Sequence, residues 1–275
     1  MKNNILKFGF IAFFSVVLVG CNNEEVADQL SLDAIDSEEA ALTADIDDGS
    51  EVISDLTLQG FEDEEGLSKS NGRFLPDCAT VTIVLTDTTK NVTIDFGTEG
   101  CEVRSGHIIK GKILMSYELD VEAMSLVINY SLEDFFIDDN QFEGSRTITR
   151  LKSNQNGNPE YSMELNLTVT FADGTQASRT GSKTREWIEG AFNGNWGDNV
   201  FLINGAWQTN FANGNMHSTT ITTPLRREAS CRFLVSGVVE LVRTNYSGTL
   251  DYGDGSCDNQ ALFTNSEGEE REILL

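Results

Sequence analysis

The sequence predicts an all-β protein, built either as an antiparallel sandwich or as a curved sheet of long hairpins. The first observation is a period-two alternation of apolar and polar residues, clearest in YSMELNLTVTF at 161–171, which is typical of a strand with one buried face. The second is a series of turn signals between such runs, NGNP at 156–159, ADGT at 172–175 and ANGN at 212–215. The third is that no helical period persists beyond residue 71. Long one-faced strands joined by short turns favour antiparallel pairing.

Residues 1–20 are predicted to be a lipoprotein signal peptide. Two lysines precede an apolar run of 13 residues, 8–20, which is shorter than the ~20 residues that a membrane-spanning helix needs. LVGC at 18–21 resembles the lipobox of bacterial lipoproteins. The resemblance implies that the processing machinery acylates the Cys21 thiol and cleaves before it, which would anchor the chain to a membrane. The alternative is an ordinary signal peptide with a chance cysteine.

The chain is strongly acidic, with a formal net charge of −25. A basic groove for nucleic acid is missing from the sequence, which argues against nucleic-acid binding. The same charge disfavours direct adhesion to anionic lipid. The acyl group on Cys21 is therefore the predicted membrane attachment.

Residues 21–70 are predicted to be an acidic tether between the lipid and a β domain over 71–275. Residues 22–70 hold 16 Asp and Glu against one Lys, a composition that offers little apolar surface to offset the entropy of ordering. EEAALTADIDDGSEVISDLTL at 38–58 contains good helix formers and could make a short helix. The β domain is expected to be one unit or two pseudo-repeated halves.

The acids directly after Cys21 carry a second resemblance. NNEE at 22–25 resembles the surface-export signal of Bacteroidota lipoproteins. The resemblance implies an outer-membrane lipid anchor with the domain on the cell surface. The alternative is that these residues are the start of an acidic linker and that the domain faces the periplasm.

The four cysteines after Cys21 fall into two similar units, Cys78 to Cys101 and Cys231 to Cys257. Each unit runs from a cysteine through a β run and a polar turn to TIDFG or TLDYG, and then to the second cysteine. In an exported protein such pairs are most simply disulfides, and of three connectivities the similar spacing favours pairing within each unit. A thiolate metal site is disfavoured, because the chain contains no CxxC and its two histidines lie far from any cysteine in sequence.

TVTIDFGTEGC followed by GHIIKGKI, together with GTLDYGDGSCDNQA, resembles an uncharacterised group of Bacteroidota lipoproteins over about residues 75–275. The resemblance implies an exported β domain and brings no catalytic residues.

Two further stretches hold candidate ligand sites. DYGDGSCDN places Asp251, Asp254 and Asp258 around two glycines, which gives either a calcium site or a hairpin turn with local hydrogen bonds. Trp196 lies in the polar loop FNGNWGDN, where an exposed ring would be a platform for sugar rings or an apolar partner. The alternative for Trp196 is a loop that tucks the ring over the edge of the core.

No catalytic constellation is predicted. His107 and His217 both lie next to turns, and neither has a GxSxG nucleophile elbow nearby. We expect a non-enzymatic module without cofactor, binding a glycan or protein ligand at the cell surface. The alternatives are a structural envelope protein that faces the periplasm, and a hydrolase that uses two carboxylates in one cleft.

Overall fold

The computed structural model describes residues 23–65, 74–118, 125–243 and 246–275, with side chains of the first helix from Glu38 onward. The signal peptide and Cys21 lie outside these residues, so acylation stays a prediction. The chain divides into two units, Met1–Asp36 and Ser37–Leu275, and every described strand belongs to the second.

One helix precedes fourteen strands and a short 3-10 helix. The elements are α1 (Asn23–Glu64), β1 (Thr80–Leu85), β2 (Thr89–Asp95), β3 (Cys101–Glu102), β4 (Ile108–Glu118), β5 (Ser125–Ile137), β6 (Asn140–Leu151), β7 (Glu160–Thr170), β8 (Gln176–Glu189), the 3-10 helix (Trp196–Asp198), β9 (Val200–Phe211), β10 (Met216–Glu228), β11 (Ser236–Arg243), β12 (Tyr246–Asp254), β13 (Gln260–Asn265) and β14 (Glu270–Leu274).

All fourteen strands form one antiparallel sheet that follows the order of the chain. β3 pairs with β4 at the side of this path, and β1 and β14 are the two edges. The all-β prediction is confirmed, in the form of a curved sheet rather than a two-layer sandwich. The alternation predicted at 161–171 also holds, since the odd-numbered residues of β7 are buried and the even-numbered ones are partly or fully exposed.

The sheet curves around α1. Every residue from Ile46 to Glu62 is buried, although a helix lying on a flat sheet would expose one side. We call the face of the sheet that contacts α1 the inner face and the opposite one the outer face. The prediction of a flexible tether is wrong for residues 39–62, which fill the core of the domain, and the helix suggested for 38–58 is part of a longer one. Carboxylates disfavour burial on their own, but buried cations of the sheet meet them here.

Two glycines let the sheet approach α1 closely. A Cβ on Gly49 would lie 2.3 Å from Cζ of Phe142, and one on Gly60 would lie 2.4 Å from Cδ1 of Ile94. Glycine in a helix interior costs about 1 kcal/mol relative to alanine. Here the absent side chain makes room for core residues of β6 and β2.

Two glycines within strands mark close approaches between neighbouring strands. Gly181 in β8 and Gly205 in β9 have φ values of 154° and 153°, which glycine adopts more readily than other residues. A Cβ on Gly181 would lie 2.4 Å from the Ala206 carbonyl oxygen, and one on Gly205 would lie 2.4 Å from that of Ser182. A side chain at either position would therefore collide with the backbone of the neighbouring strand, and glycine avoids this collision.

Both predicted disulfides are present. Cys78 bonds Cys101 and Cys231 bonds Cys257, with Cα atoms 5.7 and 5.5 Å apart. The two sequence repeats share a local hydrogen bond, since the Asp95 and Asp251 carboxylates accept hydrogen bonds from the backbone N–H two residues later at 2.8 and 2.9 Å. The repeats lie in β2 and β12, near opposite ends of one continuous sheet, so the described β domain is a single unit.

Candidate functional site

The inner face of the sheet carries buried cations that meet buried carboxylates of α1. We call this set the α1 charge network. Its carboxylates are Glu39, Asp47, Asp48, Glu51, Asp55 and Glu62, and its cations are Arg146, Arg150, Arg179, Lys183, Arg185 and Arg227, each at most 8% exposed. The network places cations on the inner face of a chain whose overall charge is strongly negative.

The centre of the network follows β8. Successive carboxylates on one side of α1 meet successive inner-face cations of β8 in the same order: Asp47 with Arg179, Glu51 with Lys183 and Asp55 with Arg185. The spacing of four residues keeps the acids on one helix face, and the even spacing keeps the cations on one strand face. In β8 these cations alternate with outward residues and share their face with Ala177 and Trp187. Cations at strand positions where alternation favours apolar residues are the sequence signal for a buried counter-charge.

Neighbouring strands extend the network. Arg227 of β10 donates from Nε to Asp55 at 3.0 Å. The Ser50 hydroxyl accepts hydrogen bonds from Arg146 of β6 at 3.2 Å and from Lys183 at 3.1 Å. Tyr161 of β7 donates to Glu62 at 3.1 Å. The helix is thereby fixed from several sides by charge-assisted hydrogen bonds.

Burial and ion pairing act against each other on the pKa values of this network. Burial disfavours the charged form of Asp55, but Arg185 and Arg227 outweigh it and lower the pKa of that carboxyl. Burial lowers the pKa of Lys183 to about 8, against the opposing effect of Glu51. Burial raises the pKa of Glu62 to about 7, because Arg150 and Tyr161 compensate only in part. The charge of Glu62, at the C-terminal end of α1, is therefore less well compensated than that of Asp55.

Both histidines of the chain belong to this interface. His217 is 3% exposed, with Nε2 2.6 Å from a Glu39 oxygen, and His107 is 3% exposed, with Nε2 3.1 Å from Asp48 and Nδ1 2.8 Å from Asp138. Burial disfavours imidazolium, but the carboxylates of Asp48 and Asp138 outweigh it and raise the pKa of His107. The histidines therefore hold α1 in place, and neither faces a groove where a substrate could reach it.

The cavities found beside α1 among the described residues are too small for a ligand. Two cavities beside α1 each hold only about 10 Å³, one next to Trp196 and one next to Trp207. That volume is at most about one water molecule. The charge network thus serves the stability of the fold, and the larger grooves of the described residues lie on the outer face.

The outer face carries a groove of about 950 Å³ that crosses β2, β4, β5, β6, β7 and β8. Two rows of outward side chains form its walls, and the strand backbone between the rows forms its floor. The register aligns the first row as Asn91, Ser116, Asn129 and Thr147, and the second as Thr93, Leu114, Ser131 and Ser145. Glu164, Asn166 and Ser182 continue these walls on β7 and β8. We call this feature the outer groove.

A smaller groove of about 510 Å³ runs alongside the outer groove. Both are lined by Thr147, Glu164 and Ser182, and the far wall of the smaller one contains Thr149, Ser162, Thr184 and Asn204. The row of Thr147, Glu164 and Ser182 therefore has a groove on each side.

The chemistry of the outer groove is polar and nearly uncharged. Hydroxyl and amide side chains can both donate and accept hydrogen bonds. Among the outward side chains of the two grooves, Glu164 is the one that carries a charge; Arg146 and Lys183 contribute floor, while their side chains contact α1. Such a groove suits a neutral ligand with many hydroxyl groups.

Trp196 is not an exposed platform. Its side chain is 1% exposed and packs against Phe74, Trp187 and Phe201, with ring centroids 5.6, 6.0 and 6.1 Å away. The polar loop around it forms the 3-10 helix, with Asn195 accepting a hydrogen bond from Gly197 N–H at 3.2 Å. The polar residues turn the chain so that the indole ring reaches the core, and the ligand-binding interpretation of Trp196 is wrong.

The three aspartates of the proposed calcium loop bond their own turns. Asp251, Asp254 and Asp258 each accept a hydrogen bond from the backbone N–H two residues later, at 2.9, 3.1 and 3.0 Å. No group of three His, Cys, Asp or Glu side chains in the described residues is arranged to hold a metal ion. The turn interpretation accounts for these residues, and we do not propose a calcium site.

None of the helices in the described part of the chain is both long and apolar enough to cross a membrane. Comparison of the chain with protein-family models, curated proteins and solved structures finds no match.

Proposed function

We propose that this protein is an exported lipoprotein, acylated at Cys21 and anchored in the outer membrane, whose domain from Ser37 onward is a non-enzymatic binding module at the cell surface. The lipobox at 18–21 and the acids at 22–25 support the anchor and the surface location. The two disulfides fit an exported protein, because disulfides persist in oxidising compartments.

The outer groove is the observation that carries the binding function. Its walls offer hydroxyl and amide groups from six strands, a span of ~24 Å at the usual spacing between strands. We infer that the ligand is a neutral glycan long enough to lie along these rows. An anionic polysaccharide fits poorly, because the chain carries a net charge of −25.

A carboxylate-dependent hydrolase fits the groove less well. Glycoside hydrolysis in most families uses two carboxylates on either side of the scissile bond. Glu164 is the single acid among the described residues that line either groove. Binding without turnover is therefore the function that the groove supports best.

A glycan array tests the binding function. The full mature protein in detergent should bind neutral polysaccharides, and Asn129→Trp, which fills the middle of the outer groove, should abolish that binding. The control is Thr249→Trp, because Thr249 is also exposed on the outer face but lies on β12, outside the groove. Equal binding by the two variants, or no binding by the unmodified protein, would exclude the groove as a glycan site.

Labelling of intact cells tests the anchor and its orientation. An epitope inserted at the exposed turn Asp173–Gly174 should be reached by antibody on unbroken cells. Cys21→Ser should release the protein from the membrane fraction. Labelling only after lysis would place the domain in the periplasm and favour a structural role in the envelope.

A further inference from the structure

The first strand of the sheet is an unprotected edge. β1 pairs with β2 on one side, and no strand of the described chain pairs with its other side. Its sequence, TVTIVL, contains no charge and no proline. Natural edge strands are usually blocked by charges, prolines or bulges, because an open edge pairs with other chains. The opposite edge, β14, carries Glu270 and Glu272 and follows that rule.

The backbone of β1 offers hydrogen bonds at alternate residues. In the β1–β2 hairpin the Thr86 N–H donates to the Thr89 carbonyl at 2.9 Å, which makes them a hydrogen-bonded pair. Such pairs recur every second residue in an antiparallel ladder, so the even-numbered residues of β1 bond to β2. The N–H and C=O groups of the odd-numbered residues therefore point to the open edge. These residues are Val81, Ile83 and Leu85.

The same residues present apolar side chains. Val81 and Ile83 lie opposite Ile94 and Val92, two buried residues of the inner face. The apolar row of the core thus continues onto β1, where Ile83 is 43% and Leu85 65% exposed. The edge therefore combines free hydrogen-bonding groups with an exposed apolar row.

We propose that a second copy of this chain pairs with β1, antiparallel and with Ile83 facing Ile83 across a two-fold axis. In this register Ile83 pairs with Ile83, and Val81 of each copy pairs with Leu85 of the other. These three hydrogen-bonded pairs make about six new hydrogen bonds. It also joins the two apolar rows into one continuous row. The strand is self-complementary in this register.

Charge favours a second copy over a head-to-tail chain of copies. Two molecules of net charge −25 repel one another, and a contact without acids avoids adding close like-charge pairs to that repulsion. All six residues of β1 are uncharged, whereas pairing of β1 with β14 would place Glu270 and Glu272 at the contact. A single strand pair buries less than ~1,000 Å², so the dimer is weak and depends on protein concentration.

Sedimentation velocity of the full mature protein in detergent, from micromolar to millimolar concentration, tests the pairing. The test variant is Ile83→Pro, which removes an edge-facing N–H and leaves the bonds to β2 intact. The control is Leu274→Pro on β14. The Asn265 N–H donates to the Glu269 carbonyl, so the odd-numbered residues of β14 bond to β13 and the N–H of Leu274 faces outward. We expect a dimer for the unmodified protein and for the control. For Ile83→Pro we expect a dimer Kd at least about tenfold higher.

The proposal would be overturned if the unmodified protein stayed monomeric over the whole concentration range. It would also be overturned if a folded Ile83→Pro variant dimerised with the same Kd as the unmodified protein. Circular dichroism shows whether each variant folds, and Ile83→Lys is the second variant, because it sets two ammonium groups against each other at the axis. Cross-linking checks the register: Ile83→Cys should give a covalent dimer with a short bismaleimide, and Leu274→Cys should not. Cross-linking through Leu274→Cys instead would assign the contact to the other edge.

Discussion

The inner and outer faces of this sheet differ more than the composition of the chain suggests. The inner face holds six buried Arg and Lys side chains against the carboxylates of α1, while the outer groove contains one acid and otherwise hydroxyl, amide and apolar side chains. Both faces belong to the same strands and alternate residue by residue. A net charge of −25 therefore does not indicate how charge is distributed, because the buried cations of the sheet lie around an acidic helix.

The two faces also differ in what a substitution should cost. A buried ion pair contributes little relative to a well-packed apolar pair, but removal of one partner leaves an uncompensated buried charge. Exposed polar side chains are solvated in the folded and the unfolded state alike. Inner-face changes should therefore damage stability, whereas outer-face changes should act on binding.

The largest effect is expected from removal of α1. A chain that lacks residues 23–65 should not fold, because the buried cations of the sheet would face one another without counter-charge and the apolar core would be open. Circular dichroism and thermal unfolding measure this. A synthetic peptide of residues 38–65 should restore a cooperative transition, and a peptide with the acids at shuffled positions should not. A stable fold without the helix would contradict the role that we give to the charge network.

Two neighbouring arginines on β10 give the sharpest test of the difference between the faces. Arg227 is 1% exposed and bonds Asp55, so Arg227→Met should lower the free energy of unfolding by about 3–5 kcal/mol. Arg226 faces outward and pairs with Glu228 at 2.6 Å while 29% exposed, so Arg226→Met should cost less than about 1 kcal/mol. Chemical denaturation measures both. Equal losses would show that the Asp55 carboxylate does not depend on Arg227 for compensation of its charge.

The pH dependence of stability should report on Glu62. Its pKa is raised from 4.5 to about 7 by burial, so folding disfavours its charged form. Its stabilising contribution is present below pH 4.5 and is lost as the pH rises to about 7, a change on the order of 2–3 kcal/mol. Burial also raises the pKa of Asp45 to about 6, and the pKa of His107 is raised, which add to the loss in the same direction.

The Glu62→Gln variant isolates that contribution. Glutamine stays neutral, so the unfolding free energy of the variant should fall less steeply between pH 4.5 and 7 than that of the unmodified protein. Denaturant titrations at several pH values measure the slope. An unchanged slope would mean that Glu62 is charged in the folded protein throughout this range.

The smallest effect is expected on the outer face. Glu164 is exposed between the two grooves, and Glu164→Gln should change the free energy of unfolding by less than about 0.5 kcal/mol. Thermal denaturation checks this, and the glycan array shows whether binding of neutral ligands is kept. A large loss of stability would mean that the outer groove is part of the structural core as well.

Much of the sheet could be predicted from local pattern. Alternation from Tyr161 to Phe171 identified β7 and its buried face, and the spacing of the four cysteines identified both disulfides. The site could not be predicted in this way. The outer groove joins residues as distant as Asn91 and Ser182, which only the strand order brings onto one surface.

The errors share one physical cause. The acids of 39–62 were interpreted as solvated and Trp196 as exposed, because polar neighbours in sequence were taken as solvent neighbours in space. In the structure a carboxylate such as Asp55 is buried because Arg185 and Arg227 from distant strands desolvate it and compensate it together. Trp196 is buried because its polar loop folds back over the core.

The sequence by itself determined the local features: which residues alternate across a strand, where the chain turns, which cysteines are close enough in sequence to pair, and which export signals the N-terminus resembles. These follow from backbone geometry and short-range spacing. The tertiary structure alone decided that an acidic helix is the core, that cations face inward and that an uncharged groove crosses the outer face. Those outcomes depend on charges and hydroxyl groups contributed by strands far apart in the chain, whose energies exist only once the sheet has brought them together.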